Sequence, residues 1–108
     1  MTVNNMPART LALTEVSGRE FEVHPRRSTW NHVPGVYLIL QWTLGGDYRP
    51  LYVGQTDDLA DRHAAHHKAG CFDSYGWTHL AFLFERNEWA RRSIEADLLT
   101  NYHWPCNG

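Results

Sequence analysis

A chain of 108 residues is one domain on length alone. Its composition, 43% hydrophobic and 20% charged residues, is typical of a globular protein. The formal net charge of -2 excludes a protein that attracts nucleic acid through an overall positive field. No apolar run approaches the roughly 20 residues of a membrane-spanning helix, and the first residues lack the regions of a signal peptide. We therefore expect a cytoplasmic protein with no membrane partner, with export lacking a cleavable signal left open.

Two cysteines, Cys71 and Cys106, are too few for a disulfide framework. They are either free thiols in a reducing compartment or one pair that crosses the fold. We expect free thiols.

The N-terminal part of the chain, residues 1–33, predicts a β-hairpin. Two short alternating runs cover residues 10–23, with Ser17, Gly18 and Arg19 at the turn between them. Covering an edge of the main sheet is the simplest role for such a hairpin. We expect residues 1–33 to be an extension of a main domain formed by residues 34–108.

The first half of the main domain predicts two strands and a helix. The strongest strand pattern covers residues 36–43, and a Leu-Gly-Gly-Asp turn returns the chain antiparallel over residues 48–53. Thr56, Asp57 and Asp58 are typical helix caps. They predict a helix over residues 58–69, and Gly70 is a typical residue to end it.

The second half predicts a loop over residues 71–76, a third strand over residues 77–85 and a helix over residues 88–102 capped by Asn87. The predicted fold is α+β: a small central antiparallel three-stranded sheet flanked by helices, with the added N-terminal β-hairpin.

One face of the helix predicted over residues 58–69 is unusually polar. The residues spaced i, i+3, i+4 and i+7 share that face: Leu59, Arg62, His63 and His66. An ordinary helix would pack this face on the sheet, yet three of the four side chains are polar. The spacing therefore favours a functional site over a core face.

Five motifs, in order along residues 34–107, resemble the signature of the GIY-YIG nuclease family. They are Gly35-Val36-Tyr37, Tyr52-Val53-Gly54, Arg62, a late helix with Glu95, and the ending Trp104-Pro105-Cys106-Asn107. Valine replaces isoleucine in both tripeptides, which changes little chemically. The stretch between the tripeptides is a few residues longer than is usual in the family, which implies a longer hairpin loop.

The resemblance implies a metal-dependent endonuclease that hydrolyses phosphodiester bonds in nucleic acid, with DNA favoured over RNA. The implied catalytic residues are Tyr37, Tyr52, Arg62, His66, Glu95 and Asn107. The implied substrate-binding residues are Gly54, His63, Arg91 and Arg92. Glu95 would hold Mg²⁺ or Mn²⁺, since one carboxylate with waters and phosphate oxygens suits an ion that keeps several waters.

The implied roles follow from the chemistry of the side chains. Arg62 would present a planar fork to the scissile phosphate. Tyr37 or Tyr52 would orient or deprotonate the attacking water. A phenol with a pKa near 10 is a poor base, so His66 or His63 would have to activate it. Asn107 would close the site by hydrogen bonding near the second strand of the main domain.

Ordinary structural roles compete with each assignment. Arg62 can pair with Asp58, Glu95 can pair with Arg91 or Arg92, and both tyrosines can simply pack across strands. The same fold could also be a nucleic-acid-binding or interaction module that does not cleave.

A third alternative is a zinc-stabilised interaction domain, with ligands drawn from His63, His66, His67, His79 and Cys71, although their spacing matches no standard zinc motif. In every case so small a domain leaves little surface for base recognition. An additional protein partner or a homodimer would then supply specificity.

Overall fold

An antiparallel sheet of five strands forms the centre of the structure, a computed structural model that describes residues 13–108. The strands lie in the order β1-β2-β5-β3-β4. Their bounds are β1 Leu13–Val16, β2 Arg19–Pro25, β3 Gly35–Trp42, β4 Tyr48–Thr56 and β5 His79–Phe84. The helices are α1 Leu59–Ala64, α2 Ala69–Tyr75 and α3 Glu88–Asn101.

The prediction of a three-stranded sheet with a separate hairpin is wrong, because the hairpin continues the sheet. Strand β2 pairs antiparallel with β5, from Glu22 opposite Phe82 to Pro25 opposite His79. Phe21 and Val23 are buried in the same cluster as the residues of β3 and β5. The second edge of β5 is thereby paired rather than left open. The beginning of the predicted hairpin, residues 10–12, lies outside the described residues.

The hairpin turn agrees with its predicted position. Ser17 and Gly18 both have positive φ angles, 52° and 78°. A two-residue turn with this backbone matches the twist of the two strands that it joins, and glycine adopts the conformation without steric cost.

The two faces of the sheet are buried against different helices. Helix α3 covers a cluster that includes Val36, Leu38, Val53 and Leu98. The α1 and α2 side buries Tyr37, Ile39, Leu51, Tyr52, Leu59 and Phe72. Adjacent residues of β3 therefore belong to opposite faces, as the pleat of a strand requires. In β4, Leu51 and Tyr52 both face α1 and α2, because the register of the β3–β4 pair shifts at this point.

The single helix predicted over residues 58–69 is wrong, because the chain forms two short helices there. The backbone leaves the helical region at Ala65, with φ -137° and ψ 51°, and α2 begins at Ala69. His66, between the two helices, turns into the protein and accepts a hydrogen bond from the Lys68 amide. The predicted loop over residues 71–76 is therefore largely α2, which ends at Tyr75 with Gly76 as its C-cap. Gly70, the predicted helix end, lies inside α2.

Helix α3 matches its prediction closely. The Asn87 side chain accepts a hydrogen bond from the Ala90 amide, and the helix ends one residue before the predicted end. None of the helices in residues 13–108 has the length and hydropathy to span a membrane.

The expectation of free thiols is wrong, because Cys71 and Cys106 form a disulfide across 35 residues of chain. The bond ties α2 to the segment that follows α3. In the chain-entropy model, closing a loop of this length restricts the unfolded chain and stabilises the fold by about 3 to 4 kcal/mol.

Gly35 offers a direct test of how closely β5 packs on β3. A Cβ atom at this position would lie 2.3 Å from the Leu83 carbonyl oxygen and 2.4 Å from the Phe82 ring. Since neither neighbour is a flexible chain end, Gly35→Ala should lower the free energy of unfolding by about 3 kcal/mol. Urea denaturation of the parent and the variant measures the difference, provided that the unfolding free energy of both falls with urea concentration at the same slope.

Gly45→Ala is the matched control in the β3–β4 turn, where the nearest atoms to a new Cβ lie at 3.6 and 3.8 Å. We expect this control to change the unfolding free energy by less than about 0.5 kcal/mol. Equal stability of the two variants would show that the close packing at Gly35 is incorrect.

Candidate active site

The outer edge of β4 is covered by the C-terminal strap, which we define as residues 104–108. The Cys106 amide donates to the Leu51 carbonyl oxygen at 2.8 Å. Asn107 brackets Val53: its Oδ1 accepts from the Val53 amide at 2.9 Å, and its Nδ2 donates to the Val53 carbonyl oxygen at 2.9 Å. Asn107 therefore lies near the second strand of the main domain, as predicted, but both polar atoms of its side chain are engaged by Val53.

Tyr37 and Tyr52 lie side by side beneath this edge, with ring centroids 5.9 Å apart. Tyr37 is opposite Gly54 on the neighbouring strand. A Cβ atom at Gly54 would come within 2.6 Å of the Tyr37 hydroxyl. Gly54 thus makes room for the Tyr37 ring to cross β4.

His66 fixes the Tyr37 hydroxyl. The Lys68 amide can only donate, and it lies 3.0 Å from Nδ1 of His66, so that nitrogen accepts. The proton of the neutral ring is then on Nε2, which donates to the Tyr37 hydroxyl oxygen at 2.7 Å. Burial, together with the nearby charges of His67 and Arg62, lowers the pKa of His66 to about 4. The ring therefore orients Tyr37 as a donor and does not accept the phenol's proton.

Both tyrosines are protonated at neutral pH. Burial raises the pKa of Tyr37 and of Tyr52, and the positive charge of Arg62 offsets only part of the increase. The negative charge of Glu95 raises the pKa of Tyr52 further. These phenols are accordingly placed to donate hydrogen bonds rather than to act as strong bases.

Arg62 extends from α1, which begins at the Asp58 cap. The Asp58 carboxylate accepts from the Asp61 amide and contacts His32 at 2.9 Å, so it is not paired with Arg62. The Arg62 side chain is exposed and forms no salt bridge with any carboxylate in residues 13–108. Its guanidinium is available to an external anion.

Glu95 projects from α3 towards the same edge. Ile94 and Leu98 bury their side chains under the sheet, and this leaves Glu95 half-buried at the border. Its carboxylate has no hydrogen bond or salt bridge within the described part of the chain. Burial raises the pKa of Glu95, and the charges of Arg92 and Arg62 partly oppose this rise.

Three of the predicted substrate-binding residues are engaged elsewhere. Arg91 is buried and donates to the Gln55 side chain at 2.8 Å and to two main-chain carbonyl oxygens, so it cannot reach a substrate as predicted. Arg92 is exposed but held by Glu88 at 2.7 Å. His63 is half-buried between two tryptophan rings, with centroid distances of 5.1 and 5.5 Å.

Two contributors to this region are not among the residues that the nuclease resemblance implied, although His67 was named as a candidate zinc ligand. His67 is exposed and stacks on the His66 ring, with centroids 5.0 Å apart. The Lys68 amide sets the His66 tautomer. A continuous helix would have placed both residues differently, and only the adjacency of His66 and His67 in the sequence hinted at a shared role.

The residues around Glu95 fit Mg²⁺ or Mn²⁺ better than Zn²⁺. The Glu95 carboxylate is half-buried and has no salt bridge to a cation within residues 13–108, and a carboxylate is the kind of oxygen ligand that Mg²⁺ or Mn²⁺ accepts. The zinc alternative loses its thiolate, since Cys71 is in the disulfide. Among the described residues, the potential ligand atoms that converge belong to His32, Asp58 and Asp61, an exposed group whose members pair with one another at the start of α1.

The comparisons with known proteins return no relative: no protein-family model, no curated protein and no solved structure matches the chain. The likeness to GIY-YIG nucleases accordingly stays a prediction from the motifs.

The lowered pKa of His66 predicts a pH dependence of stability. Between pH 6.5 and about 4, the unfolded chain binds a proton that folded His66 does not. Stability should therefore fall as the pH decreases through this window, and His66 should contribute no further loss below it. Assigned NMR titration of the histidine ring protons, with thermal melts over the same range, measures both effects.

His66→Gln is the control, because an amide can still donate to Tyr37 but does not titrate. Its stability should depend less on pH than that of the parent, although His63 and His79, whose pKa values burial also lowers, retain part of the slope. A His66 ring that titrates near 6.5 would contradict the hydrogen-bond arrangement described above.

Proposed function

We propose that the protein is a divalent-metal-dependent endonuclease that hydrolyses phosphodiester bonds, with DNA as the favoured substrate and RNA as the alternative. The observation that carries the proposal is that two opposite charges, Arg62 and Glu95, lie near the β4 edge without a salt-bridge partner among the described residues. The Arg62 guanidinium and the Glu95 carboxylate are close enough for Arg62 to lower the pKa of Glu95, yet they form no salt bridge with each other. One suits a phosphate and the other suits a cation.

Each side chain has a distinct part in this proposal. Arg62 donates in a planar fork to the phosphate and offsets the charge that grows as water adds to phosphorus. Tyr52 and Tyr37 donate hydrogen bonds that orient the water or the phosphate, and His66 holds Tyr37 in place. An ion held by Glu95 would polarise the phosphoryl oxygen and stabilise the leaving alkoxide.

The shape of the surface supports a polymeric substrate. The site lies along a sheet edge, whereas two cavities of about 500 and 440 Å³ have linings that include neither Arg62 nor Glu95. An extended phosphate backbone can lie along an edge that would give a small metabolite little enclosure. So small a domain leaves little surface for base recognition, and sequence specificity would therefore require a protein partner or a homodimer.

The raised pKa values of the tyrosines support a second candidate, a binding or interaction module that does not cleave. Burial keeps both phenols protonated, and His66 donates to Tyr37, so no side chain here is an evident general base. Such a module would bind phosphate through Arg62 and leave the backbone intact.

The compartment is also a matter of proposal. The cytoplasmic expectation suits free thiols, whereas the disulfide is typical of an oxidising environment. We propose that the protein works in an oxidising compartment.

Arg62→Ala tests the phosphate contact. Cleavage of labelled DNA should fall about a hundredfold or more, because a charged donor to the transition state is lost. Arg62→Lys should recover little, since an ammonium cannot form the bidentate fork. Arg27→Ala is the control, because Arg27 is exposed and forms no salt bridge with a described residue. Near-normal cleavage by Arg62→Ala would remove Arg62 from the site.

Glu95→Gln separates the enzyme from the binding module. The change keeps the shape of the side chain but removes the charge that would hold the ion, so cleavage in Mg²⁺ or Mn²⁺ should fall at least about a hundredfold. Binding of the same oligonucleotide should persist through Arg62. Cleavage assays and binding isotherms on one labelled oligonucleotide, with Glu20→Gln as an exposed control, measure both.

Stability gives Glu95→Gln an independent readout. A raised carboxyl pKa means that the protonated form favours folding at low pH, and that this benefit is lost as the pH rises through the folded pKa. The uncharged glutamine should therefore melt no lower than the parent at neutral pH. If Glu95→Gln cleaves as fast as the parent, or the parent binds without cutting in either metal, the binding module replaces the enzyme.

A further inference from the structure

The C-terminal strap is held to the fold at several points. The Trp104 indole donates to the Leu98 carbonyl oxygen at 2.8 Å, and the Cys106 amide bonds to Leu51. Asn107 then makes two hydrogen bonds to Val53. Val53 lies between Tyr52, which faces the site, and Gly54, over which the Tyr37 ring passes.

The disulfide is the covalent anchor of this strap. Cys106 directly precedes Asn107, and its partner Cys71 lies on α2, the helix that follows His66. One bond thus connects the residue next to Asn107 with the segment that positions His66. Phe72, beside Cys71, packs on both Tyr52 and His66, with centroid distances of 5.3 and 4.8 Å.

We propose that the Cys71–Cys106 disulfide is a positioning element of the candidate active site, so that full cleavage activity requires the oxidised protein. The inference rests on the proposed endonuclease function. With the disulfide intact, Asn107 and Phe72 hold the β4 edge and the two tyrosines in one arrangement. Without it, the strap is held by hydrogen bonds and by Trp104 packing alone, and the Tyr52–Gly54 segment loses its outer support.

Reduction requires an external dithiol. Its thiolate attacks the sulfur of Cys71, because Cys106 is only 2% exposed, and Cys106 leaves as the thiolate. The second thiolate of the reagent then displaces Cys71 from the mixed disulfide. The reagent gives up two electrons and becomes a cyclic disulfide, while both protein sulfurs end as thiols or thiolates.

The effect should fall on kcat more than on KM. Arg62 lies on α1 with its side chain exposed, so it keeps its access to phosphate. The tyrosines, by contrast, depend on the β4 edge, and displacements of about 1 Å in an active site lower rates by up to about a hundredfold. A purely stabilising disulfide would leave kcat unchanged at temperatures where the reduced protein is folded.

The test compares the parent, Cys71→Ser, Asn107→Ala and the double variant, with and without dithiothreitol, at a temperature where circular dichroism shows each to be folded. Three changes should each lower kcat at least about tenfold and leave KM within about threefold of the parent's value. They are reduction of the parent, the substitution Cys71→Ser and the substitution Asn107→Ala. The double variant should be little worse than either single variant, because both changes remove the same support. Dithiothreitol should not affect Cys71→Ser, which controls for metal chelation by the reagent.

Unchanged kcat on reduction, or losses that multiply in the double variant, would overturn the proposal. Hydrogen exchange at the Val53 amide separates this result from failure of the proposed function. If the oxidised parent cleaves nothing, the proposed endonuclease function is wrong. Hydrogen exchange at the Val53 amide still decides the role of the disulfide. The amide should exchange slowly in the oxidised protein and at least about tenfold faster after reduction or in Asn107→Ala, and equal rates would contradict the positioning role.

Discussion

The outer edge of β4 has hydrogen-bonding groups that no strand within residues 13–108 pairs with, and the structure of the candidate site depends on which groups bind them instead. The C-terminal strap supplies partners for Leu51 and Val53, through the Cys106 amide and the Asn107 side chain. An unpaired edge is open to association with other strands. The strap covers this edge with the Cys106 amide and the Asn107 side chain rather than with a further strand.

Burial and charge divide the side chains at this edge into two groups. Tyr37, Tyr52 and His66 are buried and uncharged at neutral pH, so they give fixed hydrogen-bond directions. Arg62 and Glu95 are more exposed and have no salt-bridge partner among the described residues, so they retain charge for external groups. Neutral buried groups set the geometry, and the charged groups at the border can act on a ligand. A protein that optimised stability alone would pair or remove these charges.

Sequence reasoning was most accurate where local pattern decides structure. The β3–β4 hairpin and the Asn87 cap of α3 follow from alternation and capping chemistry, which act over a few residues. It was least accurate at His66, where a continuous helix was expected. There the imidazole leaves the helical path to reach Tyr37, 29 residues earlier in the chain. The prediction that Arg91 contacts substrate was wrong for a similar reason. Its side chain binds Gln55, which lies 36 residues away in the chain.

The sequence by itself determined which chemical groups the protein has and the order in which they occur: two tyrosines in strand patterns, a basic helix face around Arg62, and a carboxylate on the last helix. Tertiary structure alone decided that the N-terminal hairpin extends the sheet through β5, that Cys71 pairs with Cys106, and that both polar atoms of the Asn107 side chain bind Val53. The physical reason is the range of the interactions. Periodicity and capping depend on neighbouring residues, whereas strand pairing and burial depend on which distant segments compete for the same edge or cavity.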